Sequence, residues 1–360
     1  MYNVNKRPTI KDVARKSGLS ASTVSLVINK TGYVSEEARA RVMRVVKELG
    51  YHPTRTARGL ASSTSGNIGF IVSEEHFAQA EQFYTRVFLG TEFEARLHDY
   101  YVLLTVIRRR FTEGNSVPRF LLERNVDGVI VAGSVNEKII EYIDGMGLPI
   151  ILVDYQVKRQ PRSAILIDNR NGTRAAVSHL IQIGHTRVGF IGADLKHPSI
   201  AERFATYRST LEEHGLVADP SLITTDEKYL SFKSGCDAAA KVLSAPSRPD
   251  ALFAANDSMA IGCLHCAKRQ GLRIPEDLAI AGFDDLEVSS HVEPRLTSVR
   301  VHKEEMGRLA VRRLVDTLRS KTATGVIAHV RTDLIVREST GGKSGEFAPL
   351  TVEAEEEVAW

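Results

Sequence analysis

Apolar residues recur at helical spacing in a short stretch near the start of the chain, TIKDVARKSGLSASTVSLVIN. Apolar or small residues at positions 10, 13, 14 and 17 form one helical stripe. The triplet Ser17-Gly18-Leu19 is typical of a turn, and Val24, Val27 and Ile28 then mark the inward face of a second helix. The stretch therefore predicts two short helices joined by a tight turn.

Polar residues at the helix starts supply the expected caps. Thr9 with Asp12 imitates a capping box, and Ser20 can cap the second helix. Opposite its apolar side, the second helix keeps a face with four members: Ser22, Ser25, Leu26 and Asn29. A short helix with a small polar face, held by a partner helix, fits the major groove of DNA. We therefore expect this segment to read DNA.

A third helix is predicted after Ser35, which can cap it ahead of an acidic first turn. Val42, Val45, Val46 and Leu49 repeat the helical spacing, and the following glycine ends the helix. Three short helices with a shared apolar centre make a small domain. Periodicity alone does not separate a DNA-binding unit from a generic helical bundle.

The specific residues of the segment distinguish a DNA-binding unit from a generic helical bundle. The stretch TIKDVARKSGLSASTVSLVIN and the later VSEEARARVMRVVKELGYHPTRTARGLAS closely resemble the N-terminal headpiece of the lactose-repressor (LacI/GalR) family of bacterial transcription regulators. The match covers about sixty residues, which is more specific than a short motif. The resemblance implies a helix-turn-helix headpiece over residues 1–53, a hinge helix and linker over 54–66, and a homodimer on a pseudopalindromic double-stranded operator.

The resemblance also implies which residues contact DNA. They are Thr9, Ser20, Ala21, Ser22, Thr23, Ser25, Leu26 and Asn29 in the headpiece, and Arg55, Ala57, Arg58 and Leu60 in the hinge. Leu60 matches the family's minor-groove wedge, although from the residues alone a core leucine at a domain boundary is the simpler interpretation. Leu26 stands where the family usually has arginine, so contact there is limited to apolar groups such as a thymine methyl.

From Asn67 onward the pattern changes to alternating strands and helices. Nine strands are predicted: Ile68–Val72, Tyr101–Ile107, Asp127–Ala132, Ile150–Asp154, Ala164–Asp168, Arg187–Ile191, Ser221–Thr225, Ala251–Ala254 and Leu278–Phe283. Apolar strands separated by helices indicate an α/β fold with doubly wound parallel sheets. About 270 residues of this pattern exceed one comfortable sheet, so two halves are expected.

The body resembles the periplasmic sugar-binding fold that the family uses as its sensor. By this resemblance, residues 67–340 form an effector-binding and dimerisation domain in which the chain crosses three times between halves. One half is expected over 67–164 and 294–325, and the other over 165–293 and 326–340. The polar, acidic tail 341–360 is expected to be disordered, and it shows no heptad stripe for a coiled coil.

Charge is unevenly placed along the chain. The formal net charge is +3, yet residues 1–65 hold twelve Lys or Arg against four Asp or Glu. A basic headpiece on an acidic body is typical of a nucleic-acid binder with a separate second function. No apolar run is long enough to span a membrane and no secretory signal is visible, so we expect a cytoplasmic, nucleoid-associated protein without a membrane partner.

Polar residues at the ends of predicted strands point to a ligand cleft. Asp154, Asn256 and Asp284 each end a strand or open the following helix, and Arg203 lies on the helix of SIAERFATYR. Such groups can bind vicinal hydroxyls, and Phe83 or Tyr84 could stack on a sugar face. In the resembled family, the positions that match Asp154, Arg203, Asn256 and Asp284 contact a small-molecule effector, which we expect to be a carbohydrate. Helix capping, or a surface ion pair for Arg203, explains each residue equally well on its own.

Catalytic and metal motifs are missing from the sequence. No nucleophile elbow, phosphate-binding loop or HExxH is present, and we expect neither an enzyme nor a cofactor or metal site. Cys263 and Cys266 form a C-x-x-C without a second ligand pair, which favours core packing. The expected function is a DNA-binding transcriptional regulator, with a repressor preferred. A solute-binding protein that uses only the cleft is the alternative.

Overall fold

A computed structural model describes residues 8–29, 32–51, 64–74, 83–108, 117–157, 162–320 and 325–342. The chain divides into two compact units, Met1–Gly66 and Asn67–Trp360. These are the first and second units.

The first unit contains the three predicted helices. They are α1 (Ile10–Ser17), α2 (Ala21–Asn29) and α3 (Glu36–Leu49). Val13, Val24, Val42 and Val45 pack together with Tyr51 in one buried cluster. Each helix is too short to be stable alone in water, so this shared apolar centre holds the unit together.

The predicted caps are present in the first unit. The Thr9 backbone N–H donates to Asp12 Oδ2 at 2.9 Å, and the Thr23 N–H donates to Ser20 Oγ at 3.0 Å. Gly18 ends α1 with a φ of 69°, in the left-handed region where a side chain is disfavoured. Local polar chemistry therefore sets where the helices begin and end.

The second unit is built on two six-stranded sheets. The first sheet has the order β11-β5-β4-β3-β1-β2 and the second has β12-β10-β9-β8-β6-β7. The strands are β1 (Asn67–Ser73), β2 (Tyr101–Ile107), β3 (Gly128–Ala132), β4 (Ile150–Val153), β5 (Ala164–Ile167), β6 (Val188–Ala193), β7 (Ile223–Glu227), β8 (Ala251–Ala254), β9 (Ala279–Asp284), β10 (Thr297–Val301), β11 (Ile327–Val330) and β12 (Thr332–Ile335). All pairings are parallel except that of β10 with β12. Each of the nine predicted strands is present, with ends within two residues of those expected.

Helices cover the sheets, as a parallel α/β fold requires. They are α4 (Phe83–Leu97), α5 (Arg119–Leu122), α6 (Glu137–Gly145), α7 (Asn169–Gln182), α8 (Pro198–Glu213), α9 (Phe232–Leu243), α10 (Asp257–Arg269) and α11 (Lys303–Ser320). α11 packs on α4 and on strands of the first sheet, whereas α7 packs on strands of the second. The doubly wound α/β fold with two halves is thus confirmed. No helix among the described residues is long and apolar enough to span a bilayer.

The chain crosses between the halves at points that differ from those expected. β5 and β11 belong to the first sheet and β10 to the second, so the expected divisions at 164/165, 293/294 and 325/326 were wrong by about one strand each. The crossings lie at Asp168, His302 and Arg331. Each crossing segment first completes a strand of one sheet, because that pairing satisfies its backbone groups, and only then enters the other half.

The hinge helix expected over 54–66 falls largely on residues 52–63, which lie outside the described part of the chain. Of the tail expected to be disordered, 341–360, residues 343–360 lie outside it as well.

Candidate functional site

A cleft of about 390 Å³ lies between the two halves of the second unit. Side chains from both halves reach it, mainly from the carboxyl ends of parallel strands, where ligands of such folds bind. The cleft is lined by all six residues predicted to bind an effector: Phe83, Tyr84, Asp154, Arg203, Asn256 and Asp284. The structure therefore brings together residues that are up to 201 positions apart in the sequence. Their contact with an effector remains a prediction.

Asp154 lies just beyond β4 and joins the two halves. Its φ is 55°, which places it in the left-handed region that costs energy for a residue with a side chain. Tyr84 Oη, from the same half, donates to Asp154 Oδ2 at 2.9 Å. Ser199 Oγ, from α8 of the other half, donates to Asp154 Oδ1 at 2.8 Å. Asp154 is thus fixed from both sides of the cleft rather than serving as a helix cap.

Arg203 is 4% exposed, so it is not part of a surface ion pair. Its Nε donates to Asn169 Oδ1 at 2.8 Å, and its Nη1 donates to the Ala255 carbonyl at 2.6 Å. Its guanidinium carbon lies 3.5 Å from the centre of the Phe283 ring. Burial lowers the pKa of Arg203, and the nearby Asp284 opposes that shift. The guanidinium is held rigidly at the cleft floor by an amide, a carbonyl and an aromatic face.

Asp284 faces Arg203 across the floor, with its Oδ1 3.7 Å from Arg203 Nη2. Its φ of 105° is again unusual for a residue with a side chain. The ammonium of Lys303 donates to the backbone carbonyl of Asp284 and, at 3.2 Å, to that of Val301. Burial raises the pKa of Asp284 to about 6, although the charges of Arg203 and Lys303 lower it. The carboxyl group can therefore change its protonation near neutral pH.

Asn256 combines capping with a place in the cleft. Its Oδ1 accepts from the Met259 N–H at 2.9 Å and so caps α10, while its Nδ2 donates to the Leu230 carbonyl at 3.3 Å.

The next residue, Asp257, is fully buried beneath the cleft. It accepts hydrogen bonds from Ser298 Oγ at 2.5 Å, Ser289 Oγ at 2.6 Å and the Leu286 N–H at 2.8 Å. Burial raises the pKa of Asp257 to about 7, despite those hydrogen bonds.

We expect Asp257→Asn to make the stability of the second unit less dependent on pH. The folded pKa of about 7 lies above the ordinary 3.8, so the folded chain holds this proton where the unfolded chain has lost it. The stabilisation from this proton is full at acid pH and is lost as the pH rises toward 7. Between pH 5 and pH 8, the free energy of unfolding measured in urea should fall by at least about 1 kcal/mol more for the wild type than for the variant.

The control for that experiment is Asp316→Asn, at an exposed position on α11. Its stability should follow the wild type at both pH values. Equal pH dependence of the wild type and Asp257→Asn would show that Asp257 is ionised throughout this range.

The two aromatic candidates, Phe83 and Tyr84, lie mostly inside the protein. They are 6% and 5% exposed, and their rings meet edge to face at 5.0 Å between centroids. Burial, followed by the charge of Asp154, raises the pKa of Tyr84 well above its ordinary value. Tyr84 is therefore a neutral hydrogen-bond donor to Asp154. The small exposed fraction of both rings allows contact with a ligand through part of the ring, not through a whole stacking face.

Several site residues were missed by sequence reasoning. Ser199 could have been found, because it lies four positions before Arg203 and therefore on the same face of α8. Asp257 follows Asn256 directly, but nothing in the sequence distinguishes a buried carboxylate from an exposed one. Lys303 comes from α11, whose approach to Asp284 depends on the second crossing between halves. Only the assembled fold identifies these two.

On α2, the outward face carries the residues predicted to contact DNA. Ala21 and Ser22 are exposed, and Leu26 is 38% exposed. Asn29 Nδ2 donates to Ser25 Oγ at 3.1 Å, so these two side chains fix each other. Thr9 and Ser20 are exposed and cap their helices, and Thr23 is half-buried. The predicted hinge contacts Arg55, Ala57, Arg58 and Leu60 lie outside the described residues.

Within the described chain, no group of three or more His, Cys, Asp or Glu side chains is placed to hold a metal ion. Cys263 and Cys266 are buried on α10 against α9, and Cys263 Sγ lies 3.5 Å from the Gly235 carbonyl. Burial raises the pKa of Cys266, which keeps this thiol protonated. Both cysteines pack as small apolar side chains.

Comparison with known proteins gives a family match in each of the two units. Residues 9–54 match the family model "Bacterial regulatory proteins, lacI family", and residues 177–340 match "Periplasmic binding protein-like domain". The HTH-type transcriptional repressor PurR of Aliivibrio salmonicida (strain LFI1238) is 30% identical over 333 residues, which cover 92% of this chain and 98% of that protein.

Solved structures give the same result. A transcriptional regulator CelR–cellobiose complex is 33% identical, with a TM-score of 0.69 over 92% of this chain and 100% of that one. The Lac repressor dimer bound to operator and the anti-inducer ONPF is 26% identical, with a TM-score of 0.79 over 93% and 99%. The headpiece, the cleft between two crossed halves and these full-length similarities agree, and the chain belongs to the lacI family of bacterial regulatory proteins.

Proposed function

We propose that this DNA-binding regulator is a homodimeric repressor whose affinity for a pseudopalindromic operator is set by a small carbohydrate in the cleft. The observation that carries the proposal is the cleft floor. Arg203, Asp284, Asn256 and Asp154, from both halves, all border one cavity of about 390 Å³. A cavity of this size accepts a mono- or disaccharide rather than a macromolecule.

The chemistry of the floor favours hydroxyl groups. Carboxylates accept from hydroxyls, a guanidinium donates to them, and an amide does both. A carbohydrate offers several adjacent hydroxyls that need such partners when they leave water. The related CelR has been solved with cellobiose, which supports a carbohydrate in this cleft.

DNA contact is assigned to the outward face of α2. Ser22 and Leu26 are exposed there, and Leu26 can touch a thymine methyl but cannot bind guanine as an arginine would. Direct readout is therefore modest at this position. We propose that hinge residues, with Leu60 as a wedge, add readout through DNA bending.

The edge of the first sheet supports a dimer. β2 is the terminal strand of that sheet, and its Tyr101, Leu104 and Val106 are 62%, 38% and 41% exposed. On the adjacent α4, Phe93 and Leu97 are 44% and 76% exposed. An exposed apolar edge strand is unfavourable in a monomer because it invites pairing. A second copy would cover it, and the related Lac repressor binds its operator as a dimer.

Contacts between the two halves indicate how an effector would act. Arg86 on α4 pairs with Glu287 of the other half at 3.3 Å and with Glu304 at 3.2 Å. Lys303, which begins α11 of the first half, holds the carbonyl of Asp284 in the second. A ligand that binds Asp284 and Asp154 together changes the relation of the halves, and coupling between cleft and DNA is then reciprocal.

A thermal-shift screen of sugars and nucleosides tests the cleft. A ligand that binds the folded state raises the melting temperature by mass action, by several degrees at a hundredfold excess over its Kd. We expect a sugar to stabilise the wild type and to lose that effect in Asp284→Asn, with Asp316→Asn unchanged. Full stabilisation of Asp284→Asn would place the ligand elsewhere. A nucleoside as the sole stabiliser would replace the carbohydrate in this proposal.

A further inference from the structure

The mouth of the cleft differs in charge from its floor. Arg108, just beyond β2, lies on the lip formed by the first half. Lys196 precedes α8 and Lys228 follows β7, so both lie on the lip formed by the second half. Cations therefore occupy both lips of the same opening.

Among the described residues that line the mouth, one carboxylate accompanies these three cations. It is Asp194, whose Oδ2 lies 3.8 Å from Lys196 Nζ, and the Lys196 side chain is 90% exposed. The Arg108 side chain is 86% exposed, and its Nε lies 3.7 Å from Glu74 Oε2. Such long, exposed pairs stabilise little, so water and ligands compete for the cations. Burial lowers the pKa of His197, so this residue adds no further charge at neutral pH.

The aromatic ring beside Lys228 keeps this cation near the mouth. Its Nζ lies 4.9 Å from the centre of the Tyr229 ring, a cation–π distance. Both residues line the cleft. The cation is thus positioned by a neighbouring side chain rather than extended freely into solvent.

Like charges on two lips oppose closure. Movement of the halves toward each other brings Arg108 nearer to Lys196 and Lys228, and their repulsion grows as water leaves the opening. A neutral ligand on the floor does nothing to offset this repulsion. An anionic group at the mouth offsets it and gains charge-assisted hydrogen bonds.

We propose that the natural effector is a carbohydrate that carries an anionic group, either a phosphate or a carboxylate. The sugar hydroxyls bind Asp154, Asn256 and Asp284 on the floor, and the anion binds the cations of the mouth. This inference rests on the proposed function, because it assigns a substrate class to the same cleft.

The test uses matched pairs of ligands on the full-length chain. Glucose is compared with glucose 6-phosphate and glucuronate, and cellobiose with cellobionate, by thermal shift and titration calorimetry. We expect an acidic member to bind at least about tenfold more tightly than its neutral partner, with a preference that decreases as salt is raised. The phosphate and carboxylate arms identify which anion is used. Inorganic phosphate alone should bind weakly, because it lacks the hydroxyls.

Variants locate the anion. The triple change Arg108→Gln, Lys196→Gln and Lys228→Gln should remove the preference for the acidic sugar. The Kd for the neutral sugar should stay within about twofold of its wild-type value. The control Lys138→Gln removes an exposed cation from α6, outside the cleft, and should change neither.

The outcomes distinguish the two proposals. Neutral sugars that bind as tightly as their acidic partners overturn this inference and leave the carbohydrate effector standing. An acidic preference that survives the triple change also overturns it. Failure of every neutral and acidic sugar to bind contradicts the carbohydrate effector itself.

Discussion

Arg203→Met is expected to lower the free energy of unfolding of the second unit by about 3–5 kcal/mol, the cost of removing one partner from a buried ion pair. Asn169 Oδ1 and the Ala255 carbonyl lose their donor, and Asp284 loses the nearest charge that lowers its pKa. Without that charge, the pKa of Asp284 should rise further. Urea unfolding followed by circular dichroism measures the loss, and effector stabilisation should vanish with it.

The matched control is Arg174→Met on α7. Arg174 pairs with Glu213 at 3.0 Å and is 53% exposed, so its loss should cost less than about 1 kcal/mol. Equal costs for the two variants would mean that the hydrogen bonds of Arg203 add no stability to the fold.

Val24→Asp is expected to abolish DNA binding, with affinity reduced at least about a hundredfold in a gel shift. Val24 is fully buried in the first unit, among Val13 and Val42. An unpaired carboxylate there lowers the free energy of unfolding by several kcal/mol, which is as much as the core of so small a unit contributes. The first unit should therefore unfold. Because the second unit is a separate compact unit, it should melt as in the wild type.

Met43→Asp is the control, since it places the same charge on α3 at a residue that is 52% exposed. Its effect on DNA affinity should stay within a few-fold, from added repulsion of the phosphates. DNA binding that persists in Val24→Asp would contradict the role of the first unit. It would also favour a protein that works through the cleft alone.

Much of the architecture follows from local sequence. The caps at Thr9 and Ser20 depend on residues three positions apart, so they can be read directly. Strands such as β2 and β8 were located to the residue, because continuous apolar runs between helices have few alternatives. β10, β11 and β12 were not predicted. They are short strands near the crossings, and β11 has an exposed end that lacks an apolar signal.

The site divides in the same way. Polar residues at strand ends identified Asp154 and Asp284, because the ends of parallel strands meet at one edge. Ser199 and Lys303 were not found, since their roles depend on contacts between halves that are distant in sequence. From the sequence, Arg203 could belong either to a surface ion pair or to the ligand cleft. Its burial against the Phe283 ring shows that it lies in the cleft.

By itself, the sequence determined the three helices of the first unit, nine of the twelve strands described in the second, the two-unit organisation and the polar residues that meet at the cleft. These follow from periodicity, capping and charge, which act over a few residues. The tertiary structure alone decided which sheet receives β5, β10 and β11, and which carboxylates are buried enough to hold protons near neutral pH. Pairing between distant strands and the loss of water around a side chain are properties of the assembled fold, so no local pattern contains them.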